Sequence, residues 1–297
     1  MKTALVIINK KSGKEKFTHI KETLRQTLTA QGFNMTVNYT TADNGSQGII
    51  TELNKAPDLL VIVDGDGTVS DVINQLYLHN INIPIAIIPT GTTNDLARVN
   101  DVPLNPIKAA ESIQAHSSKK IDVLKINSFY ASYLVAFGNF MTSFARVSTN
   151  NKKRFGRLAY LFSAVKIITH LKKYRVQLKT DILDIEIDSV FTIVSSISSV
   201  GSLEKLLPTA KADDGLLHIL NISPVRLFEV PKILYLALLG RITEHPKVTY
   251  LTAKNVSVST QSLSSMNIDG DLHSYKDSDI EVLEHHISLV EYDTNPQ

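Results

Sequence analysis

The chain has 297 residues, 43% of them hydrophobic and 20% charged, a balance that excludes a disordered chain and a length that favours two domains over one. Thirty-one Lys and Arg against 29 Asp and Glu leave a net charge of +2, which gives no argument for nucleic acid as a partner, and none is expected. The absence of cysteine excludes disulfides, thiolate metal sites and cysteine nucleophiles.

At the N-terminus one lysine precedes five apolar residues at 4–8, too few for the core of a signal peptide. The longest apolar stretch elsewhere, 233–240, is far shorter than the roughly 20 residues of a membrane span, so a soluble, cytoplasmic protein is expected. The first 125 residues repeat one pattern. Residues 4–8 lead through "NKKSGK" to Phe17, Ile20, Leu24 and Leu28, whose steps of three and four mark one helix face. Residues 59–63 lead through "DGDGT" to Val69, Val72, Ile73 and Leu76, and residues 83–88 through "PTGTTND" to Leu96 and Ala97. Strands alternating with helices predict a parallel, doubly wound α/β sheet with all three loops at the carboxyl ends of strands, the edge where such sheets bind ligands.

Past residue 125 the texture changes. Short β-branched runs at 130–137, 176–178, 182–187, 191–197, 216–222, 248–251 and 256–258 predict a mostly antiparallel β domain. Helical spacing interrupts it at 157–171 and 225–239, the second broken or restarted at Pro231. The expected boundaries are an α/β domain over 1–125 and a β-sandwich domain over 126–285, with a final strand near 286–293 as a candidate to return to the first. His285 and His286 fall in that strand, where neighbours point to opposite faces, which argues against a two-histidine metal site. Asp184, Glu186 and Asp188 alternate with isoleucines and read as a solvated strand face.

The string "LLVIVDGDGTVSDVINQL" delivers Gly65, Asp66, Gly67 and Thr68 from a buried strand to a helix N-terminus, where glycines let backbone N–H groups approach a phosphate. Asp66 cannot itself cradle a phosphate. A carboxylate beside a polyphosphate is tolerated when a divalent metal bridges them, so Asp66 is expected to hold Mg2+ directly or through water. Three Gly-, Ser- and Thr-bearing loops on one sheet edge favour a nucleotide over three unrelated turns. The same residues also fit the Asp-x-Asp-Gly-Thr of haloacid-dehalogenase-type phosphatases, with Asp64 as nucleophile and Asp66 as acid/base. That motif normally follows the first strand of its domain, whereas here a strand, a loop and a helix precede it.

The three loops, with a late "NIDGDLHS", resemble the bacterial diacylglycerol kinase family of lipid kinases, related to sphingosine and ceramide kinases. That family's motifs are an Asn-x-x-Ser-Gly loop, Gly-Gly-Asp-Gly-Thr, Gly-Thr-x-Asn-Asp and Asp-Gly-Glu, and the resemblance spans essentially the whole chain. It implies phosphorylation of the hydroxyl of diacylglycerol or a similar membrane lipid, with ATP and Mg2+, in a cleft between a nucleotide-binding α/β domain and a lipid-binding β-sandwich. It implies a first nucleotide loop of Asn9, Lys10, Lys11, Ser12, Gly13 and Lys14, and a phosphate loop of Gly65, Asp66, Gly67 and Thr68 continued by Val69, Ser70 and Asp71. Thr92, Asn94 and Asp95 fall on Gly-Thr-x-Asn-Asp, with Thr92 on the nucleotide and Asp95 in a polar network with Asp122; Thr40 fits a further nucleotide contact. In "PTAKADDGLLHI" the Asp214 carboxylate and the carbonyls of Lys211 and Leu216 would hold a structural Mg2+. Asp269 and Asp271 would supply a base and a metal-linked carboxylate.

The chain departs from those motifs at Asp64 for the first glycine, Lys10 for a common proline and Asp271 for the glutamate. Of the glycine-rich turn before "PTAKADDG" only Gly201 remains. A nucleotide-binding relative that has lost transfer is therefore the non-enzyme alternative. NAD kinases share the Gly-Gly-Asp-Gly-Thr loop, but "PTGTTNDLAR" and "PTAKADDG" resemble lipid kinases. Residues 146–175 hold nine Lys or Arg and no acid, beside an apolar stripe of Leu158, Leu161, Phe162, Val165 and Ile168. That composition suits peripheral contact with an anionic membrane surface. A homodimer is left open.

Overall fold

The structure is a computed structural model and describes residues 2–9, 14–40, 45–138 and 172–293. The chain divides into two compact units: Met1–Val123 with Phe129–Ser132 and Leu283–Gln297, and Leu124–Ser128 with Tyr133–Val282. The helix expected at 157–171 and the basic segment up to residue 171 lie outside the described residues.

In the first unit, β1 (Lys2–Asn9), β2 (Phe33–Thr40), β3 (Leu59–Asp64) and β4 (Ile85–Pro89) are parallel and ordered β2-β1-β3-β4. Every side chain from Leu59 to Val63 is fully buried, as expected of a central parallel strand covered on both faces. Helix α1 (Lys14–Ala30) buries Ile20, Leu24 and Leu28, the face set by its apolar spacing. Helix α2 (Gly45–Leu53) connects β2 to β3, and α3 (Asp66–Leu78) buries Val69, Val72, Ile73 and Leu76. Two short helices follow β4, α4 (Asp95–Val99) and α5 (Pro106–Ser112), the second capped by Asn105, whose side chain accepts from the amides of Ile107 and Lys108. Strand β5 (Ile113–Ile126) then pairs with β6 (Phe129–Ala131), and β6 is tied to α3 by the Tyr130 amide donating to Asn74 Oδ1 at 3.0 Å.

The second unit is antiparallel and sandwich-like. Its strands are β7 (Leu134–Phe137), β8 (Tyr174–Lys179), β9 (Asp184–Ser189), β10 (Phe191–Ser195), β11 (Leu217–Ile222), β12 (Val248–Ala253), β13 (Asn255–Ser259), β14 (Ser265–Ile268) and β15 (Asp271–Ser274). One sheet runs β12-β11-β10-β7-β14-β15, and β13, β8 and β9 belong to the other. The central strand β11 is buried throughout. Pro231 does not break a helix. A single 3-10 turn at Leu227–Glu229 is followed by α6 (Val230–Leu238), with Pro231 in its first turn, where its missing N–H has no intrahelical partner to lose.

The last strand, β16 (Ser278–Tyr292), serves both units. Its first residues pair with β13 in the second, while Leu289 pairs in parallel with Ile85 of β4 in the first. Tyr292 closes this end: its hydroxyl accepts from the Ile87 amide at 2.6 Å and donates to the Ile87 carbonyl at 2.8 Å. The alternation expected at His285 and His286 fails. His285 has φ 51°, a left-handed backbone that interrupts the pleat, so both histidines are exposed.

Candidate functional site

In the first unit, strand order reverses between β1 and β3, and such reversals open a crevice beyond the carboxyl ends of the strands. Asn9 and Thr40 are register partners at the ends of β1 and β2, so two expected nucleotide contacts are neighbours along the backbone. Lys10, Lys11, Ser12 and Gly13 lie outside the described residues.

The loops after β3 and β4 leave the sheet side by side. Asp64 and Pro89 are in register, and the Thr90 amide donates to the Asp64 carbonyl at 3.1 Å. The chains then close to contact at two glycines. A Cβ on Gly91 would sit 2.6 Å from the Gly65 Cα and 2.7 Å from Asn94 Oδ1, and one on Gly65 would sit 3.0 Å from the Gly91 Cα. Gly65 is the N-cap of α3 with no side-chain cap, and the first helical bond runs from the Val69 amide to the Gly65 carbonyl at 3.2 Å. The amides of Asp66, Gly67 and Thr68 therefore stand at the helix's positive end before its hydrogen-bond ladder begins. Thr68 donates its hydroxyl to the Asp64 carboxylate. Of the remaining expected contacts, Val69 and Ser70 are buried and Asp71 is exposed.

Asp66 joins the two loops. Its Oδ2 accepts from Thr93 Oγ1 at 2.7 Å and its Oδ1 from the Leu96 amide at 3.4 Å. Asn94, the N-cap of α4, has left-handed φ 49° and gives that helix no side-chain cap, so Asp66 reaches across from the other loop to do so. Burial pushes the Asp66 carboxyl up from its usual range and the nearby Asp95 charge adds to this, against the donors from Thr93, Asp95 and Leu96. Asn94 and Asp95 are buried, and Thr92 is exposed. Asn94 Nδ2 donates to the Gly91 carbonyl at 3.0 Å, while Asn94 Oδ1 and Thr90 Oγ1 are buried with no hydrogen-bond partner. Two such orphans in one short loop are unusual. Asp122 is buried and accepts from the His285 amide at 2.8 Å. Sequence reasoning missed Gly91, Thr93 and Thr90; Gly91 and Thr93 are defined by a partner in another loop.

In the second unit, Asp269 and Gly270 are the two central residues of the β14–β15 hairpin, with φ 48° and 103°, as a type I′ turn requires. Asp269 is buried; its Oδ1 accepts from the amides of Tyr133 at 3.1 Å and Leu134 at 2.8 Å. Asp271, directly after the turn, is exposed. Asp214 is enclosed by its own loop. Oδ2 accepts from the Lys211 amide at 2.9 Å and lies 3.0 Å from His218 Nε2, while Oδ1 accepts from the Leu216 amide at 3.1 Å. These partners occupy about three of the roughly four acceptor positions of a carboxylate, leaving room for one cation contact. His218 continues to the Tyr250 hydroxyl at 2.6 Å, which lies 2.7 Å from Thr209 Oγ1. Asp184, Glu186 and Asp188 are exposed, and Asp188 takes a 3.2 Å bond from Arg175. Among the described residues, no three or more His, Asp or Glu side chains are grouped so as to hold a metal by themselves.

Residues 3–126 match the diacylglycerol kinase catalytic domain, and residues 135–291 match the YegS C-terminal NAD kinase beta sandwich-like domain. A diacylglycerol kinase of Staphylococcus carnosus (strain TM300) is 29% identical over 290 residues, covering 97% of this chain and 94% of that protein. A diacylglycerol kinase of Staphylococcus aureus (strain bovine RF122 / ET3-1) is 28% identical, covering 97% and 92%. A solved structure from Bacillus anthracis str. Sterne superposes with TM-score 0.83 at 23% identity, covering 99% of this chain and 96% of that one. At that identity the likeness speaks for the fold. With the two domain matches in tandem along nearly its whole length, the chain belongs to the diacylglycerol kinase family of lipid kinases.

Proposed function

We propose that the protein transfers the γ-phosphoryl group of ATP to the hydroxyl of diacylglycerol or a similar membrane lipid. The observation that carries this reading is the backbone contact of Gly65 with Gly91 between the loops after β3 and β4, beside the buried, unpartnered Asn94 Oδ1 and Thr90 Oγ1. A nucleotide supplies the acceptors and donors those groups lack. The amides of Gly65–Thr68 and the α3 dipole take the phosphates, Asn9 to Gly13 and Thr40 take the nucleotide on the neighbouring strands, and Thr92 contacts it from the β4 loop.

The residues also fit Mg2+. A carboxylate raised by burial and by a like charge, as Asp66 is, gains from a nearby cation. Mg2+, when bound, neutralises charge on the phosphates. A second Mg2+ at Asp214 with the carbonyls of Lys211 and Leu216 belongs to the same proposal. Asp271, exposed at the end of the turn, accepts the proton of the lipid hydroxyl, and Asp269 fixes the turn that presents it. Peripheral contact with an anionic membrane through residues 146–175 is part of this reading, supported by their nine positive charges and no acid.

The test is transfer of labelled γ-phosphate to a panel of lipids in mixed micelles, with water as the control acceptor. Labelled lipid is expected. Nucleotide binding without transfer to any lipid would assign the chain to the inactive alternative, and phosphate release from phosphomonoesters without ATP would favour the phosphatase chemistry at Asp64. Against that chemistry, Asp64 is already engaged by Thr68, on the third strand of the chain.

A further inference from the structure

Among the described residues ten large hydrophobic side chains are exposed, and five of them cluster within residues 227–239: Leu227, Phe228, Tyr235, Leu238 and Leu239, each 45% to 71% exposed. Single exposed apolar residues need no explanation, but five within one turn and helix do. The sequence of α6, VPKILYLAL, has Lys232 as its one charged residue. Val230, Ile233, Leu234, Leu236 and Ala237 point into the unit and are buried. Positions 228, 231, 232, 235, 238 and 239 recur at steps of three and four and form the opposite face, which is exposed. A helix that is apolar all round belongs in a core or against lipid, and this one has a core on one side only.

The charges around that face select the partner. Arg226, Lys232, Arg241 and Lys247 are exposed. Two acidic residues lie in the same stretch against those four cations, which leaves it net positive. Glu229 accepts from the Arg226 amide at 2.7 Å, and Glu244 holds the Arg241 guanidinium through two bonds of 2.6 and 2.7 Å. Arg226 also lies over the Phe228 ring at 5.9 Å, so the cation and the apolar anchor form one surface. Arg226 and Lys232 thus stand exposed on the turn and helix that carry the apolar side chains, and Lys247 is exposed in the segment that follows. Nine residues at 1.5 Å each make a helix far too short to cross a bilayer but suited to lying in its interface. A second copy is the poorer occupant, because a two-fold contact would set this cationic rim against itself.

We infer that the outer face of the Leu227–Glu229 turn and α6 docks the enzyme on an anionic bilayer, with Phe228, Tyr235, Leu238 and Leu239 at the acyl boundary and Arg226, Lys232 and Lys247 among the headgroups. It rests on the proposed reading insofar as a kinase acting on a bilayer lipid has to reach it, and it is carried by residues other than those to which that reading gives a role.

The chain contains no tryptophan, so Tyr235→Trp introduces a single indole reporter. Its emission is measured with vesicles of phosphatidylglycerol and phosphatidylcholine in equal parts, free of diacylglycerol and nucleotide. The expected result is a blue shift, quenching by lipids brominated on the acyl chain, and weaker binding to pure phosphatidylcholine. Combining Phe228→Ser, Leu238→Ser and Leu239→Ser should weaken binding by on the order of tenfold or more. Arg226→Gln and Lys232→Gln should each weaken it by on the order of fivefold. Transfer to a short-chain, water-soluble diacylglycerol should be unchanged by the triple serine variant. The inference is overturned if the indole does not respond to vesicles, or if it is already shielded from acrylamide in buffer. It is also overturned if the serine variant converts a dimer to a monomer, which would give this face to a second copy. Insertion of the indole without phosphorylation of any lipid would uphold the docking face and reject the kinase reading. Phosphorylation of the short-chain lipid with an unresponsive indole would do the reverse.

Discussion

At position 91 one added methyl group has nowhere to go, since its nearest neighbours are the Gly65 backbone and an Asn94 oxygen. Gly91→Ala is expected to cost about 1–3 kcal/mol and to weaken ATP binding, because relief requires the two loops to part. Gly201→Ala is the control: its Cβ meets nothing within 4 Å, but its φ of 61° is left-handed, so the expected cost is about 1–2 kcal/mol with ATP affinity unchanged. Thermal denaturation and nucleotide titration separate the two. Asp66 gives a prediction in pH. Its carboxyl is raised in the fold, so as pH rises from the unfolded carboxylate value of about 3.9 through the higher folded value, the unfolded chain loses its proton first and stability falls. Asp66→Asn removes that loss while keeping an acceptor for Thr93. The variant should therefore melt higher than the parent at pH 7, with the advantage shrinking toward pH 4, while transfer drops by on the order of 100-fold. A lower melting temperature at pH 7 would contradict the burial argument. Gly65 and Asp66 are legible in the sequence because a glycine-rich turn after an apolar run is a local signal. Gly91 and Thr93 are not, since what fixes them is a backbone and a carboxylate about 26 and 27 positions away in the chain.

The Asp-Gly of "NIDGDL" carries two messages, and sequence reading takes only one of them. It suggests chemistry, but the same dipeptide is a strong hairpin signal, and β14 and β15 pair around it. The hairpin stays hidden because β15, DLHS, is exposed or half-buried throughout and shows no apolar alternation. Asp269→Ala strands two buried amides and puts alanine at φ 48°, so a loss of about 1–3 kcal/mol per amide is expected. Asp269→Asn keeps the acceptor oxygen and tolerates the left-handed backbone, so it should retain most of the stability. Asp271→Asn should leave stability and ATP affinity near the parent's while abolishing most transfer, and Asp271→Glu should restore it. Equal rate losses for Asp269→Asn and Asp271→Asn would show that the proton acceptor had been misassigned. The helical stretch at 225–239 is legible in place, but between a break and a restart at Pro231 the sequence does not choose; the 3-10 turn at Leu227–Glu229 and the helix from Val230 make it a restart.

On the scale of the whole chain, β1, β3 and β4 and the apolar faces of α1 and α3 follow from periodicity, because parallel strands buried on both faces leave continuous apolar runs, whereas α2, α5 and β5 do not. A strand near 286–293 is a candidate in the sequence to return to the first domain, but its place in the sheet is a different matter. Nothing local in "EHHISLVEY" says that Leu289 pairs with Ile85, a partner about two hundred residues earlier. Residues 1–126 expressed alone should lack the strand beside β4 and remain aggregated or molten. Joining residues 283–293 to them through a flexible linker should yield a soluble, cooperatively melting unit, checked by light scattering and calorimetry. A folded, cooperative 1–126 would mean that the strand is dispensable. The shared strand also bears on birth of the protein at the ribosome. At about 5–20 residues per second, about 200 further residues take roughly 10–40 s to make after β4 has emerged. Through that interval the edge of β4 has no neighbour, so chaperones that shield unpaired edges have work on the nascent chain that no comparison of finished stabilities would reveal.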